Sequence, residues 1–398
     1  MGKKLLFLVI RKGEGNVDLV YWQLVYFFIK KQYRIIKLAN VPHEIWLESF
    51  GRKDVPLIRL VRYDVDWSNW LKRDLEYTWH VATQLQKRHL RRSVQVLNVY
   101  VSTYPPVDDW EWVVANVQAD LPQLKTVLFH SSNAIQALQQ ISEIVNEPVV
   151  LDSVAREADP FLAAQHIQRT IFRLEKERRE KEARVLEYGN PLFTYVFIGL
   201  QILMFLILEL QGGSTNPDVL IRYGAKFNPL MQQGEWWRFI TPIFLHIGFF
   251  HLFMNTMALY YLGMTTERLY GSWRFLFIYL VAGFFGTLGS FLFTTSLSAG
   301  ASGAIFGLFG ALLYFGTVYR HLFFQTMGTN IIGLVVLNLG LGLLLPGIDN
   351  AGHIGGLVGG FLAAGIVHLP RHRQWRRQLT FFMLTALLVA VGLSIGFQ

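Results

Sequence analysis

Four polar residues lie inside long apolar segments in the second half of this chain of 398 residues. They are Ser302, His353, His251 and Asn255. A polar side chain within a membrane span costs free energy, so each of the four is a candidate functional residue. A serine hydroxyl becomes a good nucleophile when a neighbouring base accepts its proton, and histidine is the commonest such base. Ser302 and His353 are therefore a candidate nucleophile and base.

Each residue taken alone also has a structural interpretation. A serine in a glycine-rich membrane helix usually bonds to the preceding turn. A histidine near a helix end is often interfacial. His246 and His251 invite a zinc interpretation, but they lack the i,i+4 spacing and the intervening Glu of the H-E-x-x-H motif. The sequence therefore predicts no metal site and no cofactor.

The apolar segments around these residues have the length of transmembrane helices. About 20 apolar residues are needed to cross roughly 30 Å of hydrocarbon. Seven segments meet this length, at about residues 191–210, 244–264, 273–293, 299–318, 329–346, 351–369 and 379–397. We expect a multi-pass protein of the cell membrane.

Lys and Arg residues lie mainly in alternate connections between the seven segments. They precede the first segment and follow the second, fourth and sixth, whereas the connections at 294–298 and 347–350 have none. This asymmetry predicts a cytoplasmic N-terminus and an extracytoplasmic C-terminus, although the long first loop also holds three basic residues. In this orientation the four polar residues share a similar depth below the outer face, with Ser302 about one turn into its segment.

The charged residues are unevenly distributed along the chain. Residues 1–200 hold 27 of the 37 Lys and Arg and 23 of the 28 Asp and Glu. A soluble domain is about a quarter charged, which only the first half matches, so a single soluble domain is excluded. The absence of cysteine excludes disulfides and thiol-ligated metal sites. The net charge of +9 is spread over both halves, which favours a basic inner membrane face over a nucleic acid partner.

The first 150 residues have the pattern of a soluble α/β domain. Strand-like runs occur at Lys4–Ile10, Tyr33–Leu38, Pro56–Val61, Val94–Val101 and Thr126–His130. Helix-like stretches occur at Asp18–Lys31, Trp67–His89, Asp108–Ala119 and Asn133–Val145. The alternation of strands and helices favours a partly parallel sheet.

No residue pattern assigns a function, a ligand or a partner to this domain. It has no glycine-rich phosphate loop and no His, Asp and Glu set with a metal-ligand spacing. The acidic tract Tyr63–Trp67 could mark a metal or nuclease site, but we interpret its residues as turn and helix-cap residues. Asp159–Glu187 is predicted to be a charged, solvated helix that connects to the membrane part.

Glycines repeat every four residues in the segments of the candidate nucleophile and base. Small residues at this spacing let two membrane helices approach closely. Packing of Gly303 and Gly307 against Gly356 and Gly360 would place the candidate nucleophile beside its base. Generic helix packing is the alternative role of these glycines, and the two roles are compatible.

Five groups of residues within 191–369 occur in an order typical of one protein family. Gly300-Ala301-Ser302-Gly303 matches the motif GxSG, and His353, Gly356 and Gly360 match HxxGxxxG. His251 and Asn255 match HxxxN, and Trp237-Arg238 matches WR. The fifth group matches a pattern that leads from the second segment into the third, and it consists of Gly263, Glu267, Gly271, Phe275 and Tyr279. Together these groups resemble the rhomboid family of intramembrane serine proteases.

The resemblance implies a Ser–His dyad without a third carboxylate. Ser302 would attack the peptide carbonyl, and His353 would act first as the base and then as the acid. His251, Asn255 and the backbone N–H of Ser302 would donate hydrogen bonds to the oxyanion. Phe306 departs from the pattern, because many relatives have a tyrosine there beneath the histidine; the ring is kept and the hydroxyl is lost.

The resulting prediction is an α-helical polytopic membrane protein with a rhomboid-like six-helix core and a seventh C-terminal helix, preceded by a soluble α/β domain. The expected divisions are residues 1–155 for the cytoplasmic domain, 156–190 for a charged helical connector, 191–369 for the protease core and 370–398 for the seventh helix. The resemblance implies a serine endopeptidase that cleaves transmembrane proteins within the lipid bilayer, near the outer face. The alternative is a catalytically silent rhomboid-like adaptor that binds membrane helices.

Overall fold

The computed structural model describes residues 15–38, 44–49, 56–88, 94–151, 159–345, 347–370 and 374–398. The chain divides into two compact units, Met1–Glu180 and Lys181–Gln398. The predicted strand at Lys4–Ile10 lies outside the described residues. So do Arg371 and Arg373, two of the basic residues that follow the sixth apolar segment.

The first unit contains a five-stranded sheet with the strands in chain order. The strands are β1 (Tyr33–Leu38), β2 (Glu44–Ser49), β3 (Leu57–Arg62), β4 (Val96–Val101) and β5 (Leu124–Phe129). The helices are α1 (Gly15–Lys30), α2 (Ser68–Arg88), α3 (Glu111–Asp120) and α4 (Ala134–Val145). β1, β2 and β3 pair antiparallel, whereas β3, β4 and β5 pair parallel, which confirms the predicted partly parallel sheet.

Strand β2 was not predicted, and a buried ion network explains why. A strand buried on both faces is expected to be apolar, but Glu44 in β2 is buried and accepts a hydrogen bond of 2.8 Å from Arg59. The Arg59 guanidinium also donates to Asp74 and Thr78 on α2. A buried charge is tolerated when it is paired in this way, so a strand that begins with Glu can lie inside the domain.

The acidic tract Tyr63–Trp67 follows β3. Asp64 accepts hydrogen bonds from the backbone N–H of Thr103 at 2.6 Å and from Arg62 at 3.0 Å. Burial raises the pKa of Asp64, but these donors outweigh it and hold the pKa of the carboxyl below its ordinary value. In the described residues no group of three or more His, Cys, Asp and Glu could hold a metal ion.

Because the folded pKa of Asp64 is below the unfolded value of about 3.9, its ionised carboxylate stabilises the fold at neutral pH, and this stabilisation is lost as the pH falls through the lowered pKa. We expect Asp64→Asn to raise the hydrogen exchange rate of the Thr103 amide about three- to tenfold at pH 7 in the full-length chain. The gap in protection between variant and wild type should close in acid. Asp66→Asn, at an exposed position nearby, is the control; equal exchange in both variants would contradict the assignment.

The predicted connector at Asp159–Glu187 forms one helix, α5 (Pro160–Leu186). Its first turns are not simply solvated, because Ala164 and Ile171 are buried in the hydrophobic core of the first unit. The prediction of a wholly solvated helix is therefore wrong for this part. Apolar residues at a seven-residue spacing among the charges indicate such a buried stripe.

The second unit is built from helices. They are α6 (Phe193–Leu210), α7 (Pro217–Arg222), α8 (Asn228–Gln232), α9 (Gly248–Tyr270), α10 (Ser272–Phe293), α11 (Ser302–Val318), α12 (Arg320–Thr326), α13 (Gly328–Leu344), α14 (Asn350–Val367) and α15 (Trp375–Gly396). Two short 3₁₀ turns, Trp236–Phe239 and Thr241–Phe244, precede α9.

Seven of these helices match the seven predicted segments, but not all of them qualify as spans by length and composition. Helices α6, α10, α14 and α15 each qualify. Helices α12 and α13 qualify only when taken together, and the 73° bend between them is that of a broken span or a re-entrant loop. Helix α11 is apolar but has only 17 residues. Helix α9 is less apolar because it contains His251, Asn255 and Glu267.

Within the predicted segment 299–318 the helix begins only at Ser302, the first residue of α11. The preceding residues are apolar and extend the hydrophobic segment, but Gly300 has a φ of +146°, a conformation that ends helical structure. The backbone N–H of Ser302 consequently lies at the open end of a helix, where N–H groups have no partner within the helix.

Glu267, one of the motif residues, caps the first membrane helix. Its carboxylate, on α9, accepts from the backbone N–H groups of Leu192 at 2.7 Å and of Phe193 and Thr194 at 2.9 Å. It also accepts from the Thr194 hydroxyl at 2.7 Å. One buried acid thereby satisfies donors that the N-terminus of α6 leaves unpaired, and it holds α6 against α9.

We expect Glu267→Gln to lower the free energy of unfolding by about 2 kcal/mol, because an amide nitrogen would face backbone donors in place of a carboxylate oxygen. The measurement is thermal unfolding of the full-length chain in detergent. Glu187→Gln, at an exposed position, should change the free energy by less than about 0.5 kcal/mol. Equal effects of the two variants would rule out the capping role.

Candidate active site

Helices α11 and α14 touch through their backbones. A Cβ added at Gly356 would lie 1.9 Å from the carbonyl oxygen of Gly303, and one at Gly360 would lie 2.0 Å from that of Gly307. Such distances are too short for any side chain, so the two helices approach this closely because these positions are glycine. The pairing of glycines expected from the sequence is present in the structure.

Helix α10 takes part in the same contact, which the sequence analysis missed. A Cβ added at Gly286 would lie 3.0 Å from the Cα of Gly303, and one at Gly289 would lie 2.6 Å from the carbonyl oxygen of Ala351. The glycines of α10, beginning at Gly283, are spaced by three residues rather than four. Small residues at i,i+3 on a helix also share one face, and this signal could have found them.

The His353 ring stacks on the ring of Phe306. The ring centroids are 4.1 Å apart and the planes differ by 9°. Phe306 lies one turn after Ser302, so the stack holds His353 against the helix that begins at Ser302. The side chains of Ser302 and His353 are not hydrogen-bonded to each other in the described structure, and His353 Nδ1 has no partner there. Catalytic hydrogen bonds are often long in a free enzyme and shorten when the substrate binds.

His251 lies against the backbone just before Ser302. A Cβ added at Gly300 would lie 2.7 Å from His251 Cε1 and 2.9 Å from its Nε2. His251 Nδ1 accepts a long hydrogen bond of 3.4 Å from the backbone N–H of Ile247. A neutral imidazole that accepts at Nδ1 has its proton at Nε2, so the nitrogen on the Gly300 side is a donor.

His246 is a residue whose role the sequence analysis did not identify. It is fully buried, and its Nε2 accepts a hydrogen bond of 3.4 Å from the backbone N–H of Ala301. Its ring lies 5.4 Å from that of His251, edge to face. His246 therefore supports the segment that leads into Ser302.

Asn255 lies one turn after His251 on α9 and is buried. Its side-chain N–H₂ donates to the carbonyl oxygen of His251 at 2.9 Å. This bond lies within the helix and uses one of the two amide hydrogens, so the second remains for another acceptor.

The Trp237–Arg238 motif organises the long connection between α6 and α9. Arg238 is buried and donates to the carbonyl oxygens of Ile221 and Ala225, each at 2.8 Å, and to the Glu235 carboxylate at 2.5 Å. Trp237 is exposed. The arginine therefore fixes the fold of the connection.

A small cavity of about 30 Å³ lies beside Ser302, enough for a single water molecule. Its polar walls include Lys226, Ser298 and Asp349. The sequence analysis missed these three residues because they lie outside the apolar segments.

The comparisons with known proteins agree with this architecture. A family model described as the Rhomboid domain matches residues 233–370. The chain is 40% identical to Rhomboid protease GluP of Bacillus subtilis over 382 residues, which is 96% of this chain and 74% of the relative. The chain belongs to the rhomboid family. Putative rhomboid protease YdcA of B. subtilis is 35% identical over 46% of this chain and 92% of its own length. RHOMBOID-like protein 4 of Arabidopsis thaliana is 37% identical over 39% of this chain and 40% of its own length.

Membership of the rhomboid family indicates that the apolar helices lie in a membrane. The protein is a multi-pass membrane protein with a soluble α/β unit before the rhomboid core. The match to the family model spans the contact of α10, α11 and α14 and every residue described above for the candidate site from Trp237 onward.

The glycine contact predicts a sharp difference between two alanine substitutions. Gly356→Ala places a methyl group against the Gly303 carbonyl oxygen, so we expect it to lower the free energy of unfolding by about 1–3 kcal/mol. Gly340→Ala, on α13, meets no atom within 4 Å, and alanine favours helix, so this variant should be unchanged or up to about 1 kcal/mol more stable. Thermal unfolding in detergent distinguishes the two; equal stability would show that α11 and α14 are not in backbone contact.

Proposed function

We propose that this protein is an intramembrane serine endopeptidase that cleaves transmembrane proteins through a dyad of Ser302 and His353. The observation that carries the proposal is the stack of His353 on Phe306, one turn after Ser302. Membership of the rhomboid family, with a relative named as a protease over 96% of the chain, supports the reaction class.

In the first step, Ser302 Oγ attacks the carbonyl carbon of the substrate peptide bond while His353 accepts the hydroxyl proton. The tetrahedral intermediate then expels the amine, which takes the same proton from His353. An acyl-enzyme on Ser302 remains. No third group is required, since the stack on Phe306 orients the imidazole.

The oxyanion forms at the N-terminus of α11. The backbone N–H of Ser302 points out of the open helix end, where the helix dipole favours negative charge. His251, with its donor nitrogen on the Gly300 side, is the second donor. The second amide hydrogen of Asn255 is the third. One such donor contributes about 2.7–4 kcal/mol to the stabilisation of the transition state.

Hydrolysis of the acyl-enzyme needs a water molecule beside Ser302. The small cavity with walls from Lys226, Ser298 and Asp349 has room for one. His353 is not among the residues that line this cavity, so the water leaves it to reach the ester. There His353 accepts a proton from the water as the water attacks the ester carbonyl, and Ser302 recovers its proton as the ester breaks.

We infer that cleavage occurs near the outer face of the cell membrane, with the N-terminus in the cytoplasm and the C-terminus outside. The distribution of Lys and Arg between alternate connections supports this orientation. The substrates are transmembrane helices that lie in the bilayer, with small residues and a locally unstable helix at the cleavage point. The proposed organisation remains a cytoplasmic domain at 1–155, a connector at 156–190, the core at 191–369 and the last helix at 370–398.

The proposal predicts that Ser302→Ala and His353→Ala each reduce cleavage of a model transmembrane substrate in liposomes by at least about 10³-fold. Both variants should still bind the substrate. Ser302→Ala should unfold at the same temperature as the wild type, whereas His353→Ala loses the stack on Phe306 and should unfold at a somewhat lower temperature. Ser394→Ala, at an exposed position on α15, is the matched control and should cleave normally.

Two results would contradict the proposal. Cleavage by Ser302→Ala at the wild-type rate would exclude Ser302 as the nucleophile. Capture of the substrate by the wild type without cleavage would favour a catalytically silent adaptor.

A further inference from the structure

Asp349 joins the two parts of the proposed active site. It is the N-cap residue of α14, and its Oδ1 accepts from the backbone N–H of Gly352 at 2.8 Å. Its Oδ2 accepts from the hydroxyl of Ser298 at 2.9 Å. One carboxylate therefore bonds both to the first turn of the helix that carries His353 and to the segment that leads into Ser302.

The same segment is held on its other side by Lys226. The backbones of Lys226 and Ser298 pair through two hydrogen bonds, of 2.9 Å and 3.2 Å. The ammonium of Lys226 donates to the carbonyl oxygens of Thr294 at 2.7 Å and Ser296 at 3.0 Å. Lys226 is fully buried, and its hydrogen bonds hold one side of this segment. Asp349 bonds the other side to α14.

His353 lies in the turn that Asp349 caps. Its backbone N–H donates to the carbonyl oxygen of Asp349 at 3.0 Å. A shift of Asp349 would consequently move both the imidazole and the Ser298 segment. Misplacement of reacting groups by about 1 Å can cost 10²-fold in rate.

We propose that Asp349 is a positioning residue, whose carboxylate bridges Ser298 and the first turn of α14 and so sets the distance between Ser302 and His353. This inference rests on the proposed function, because it assigns the bridge to the alignment of that dyad. The carboxylate acts through its two hydrogen bonds rather than through contact with the substrate.

The bridge and the cap can be separated by substitution. Asp349→Ser keeps a good N-cap residue but is too short to reach Ser298. Ser298→Ala removes the bridge from the other side and leaves the cap intact. Asp349→Asn retains an oxygen for the Gly352 N–H and gains an amide that can donate to the Ser298 hydroxyl. Ser296→Ala is the matched control, because only the backbone carbonyl of Ser296 takes part in the contacts.

The experiment measures kcat and KM for cleavage of a model transmembrane substrate by the full-length chain in liposomes, with thermal unfolding of each variant. We expect Asp349→Ser and Ser298→Ala each to lower kcat about tenfold with KM changed less than about twofold. The double variant should be no slower than the slower single variant, because both changes remove one interaction. Asp349→Asn should recover most of kcat, and Ser296→Ala should match the wild type.

Wild-type kcat in Ser298→Ala, or a change in KM alone, would overturn the proposal. So would losses that multiply in the double variant, or a loss in Asp349→Asn as large as in Asp349→Ser. Failure of the proposed function gives a different result, because the wild type itself would then not cleave, or Ser302→Ala would cleave as fast as the wild type.

Discussion

The backbone contact of α10, α11 and α14 is the constraint on which the rest of the second unit depends. Glycines at the crossing points bring carbonyl oxygens within the space that a Cβ would occupy, as between Gly303 and Gly356. In a membrane, helices associate through close packing rather than through the hydrophobic effect, so these contacts provide much of the attraction between the three helices. They also bring the start of α11 level with the first turn of α14. At this separation the ring of His353 stacks on that of Phe306.

Polar groups around this contact are paired in a consistent way. A side chain satisfies backbone groups that helix ends and connections leave without partners. The buried Glu267 bonds to the N-terminus of α6, the half-buried Asp349 to the N-terminus of α14, and the buried Arg238 to the connection before α9. Each arrangement avoids an unpaired polar group in an apolar setting, which would cost several kcal/mol. Each one also joins two segments that are distant in sequence. The charged residues retained in this unit therefore fix the relative positions of helices as well as satisfying hydrogen bonds.

The sequence predicts much of this arrangement because a polar residue is conspicuous among apolar ones. Ser302 and His353 could be selected on that ground, and the four-residue glycine repeats predicted the contact between their helices. Asp349 could not be selected in this way, because an acidic residue just outside a span is typical of an ordinary loop. Only the structure shows its two hydrogen bonds. The strands of the soluble unit are harder to predict from the sequence, because polar residues are common there and do not stand out. The Glu44–Ser49 strand has a charged residue at its start, and only the paired Arg59, distant in sequence, makes its burial possible.

Activation of Ser302 by His353 is tested most directly with a fluorophosphonate, which reacts with activated serine hydroxyls. The full-length chain in detergent is treated with the reagent, and the modified residue is identified by peptide mass spectrometry; the absence of cysteine removes competing thiol reactions. The predicted result is a single adduct on Ser302, formed at least about 10²-fold more slowly when His353 is replaced by alanine. An adduct on a different serine, or an unchanged rate without His353, would contradict the dyad.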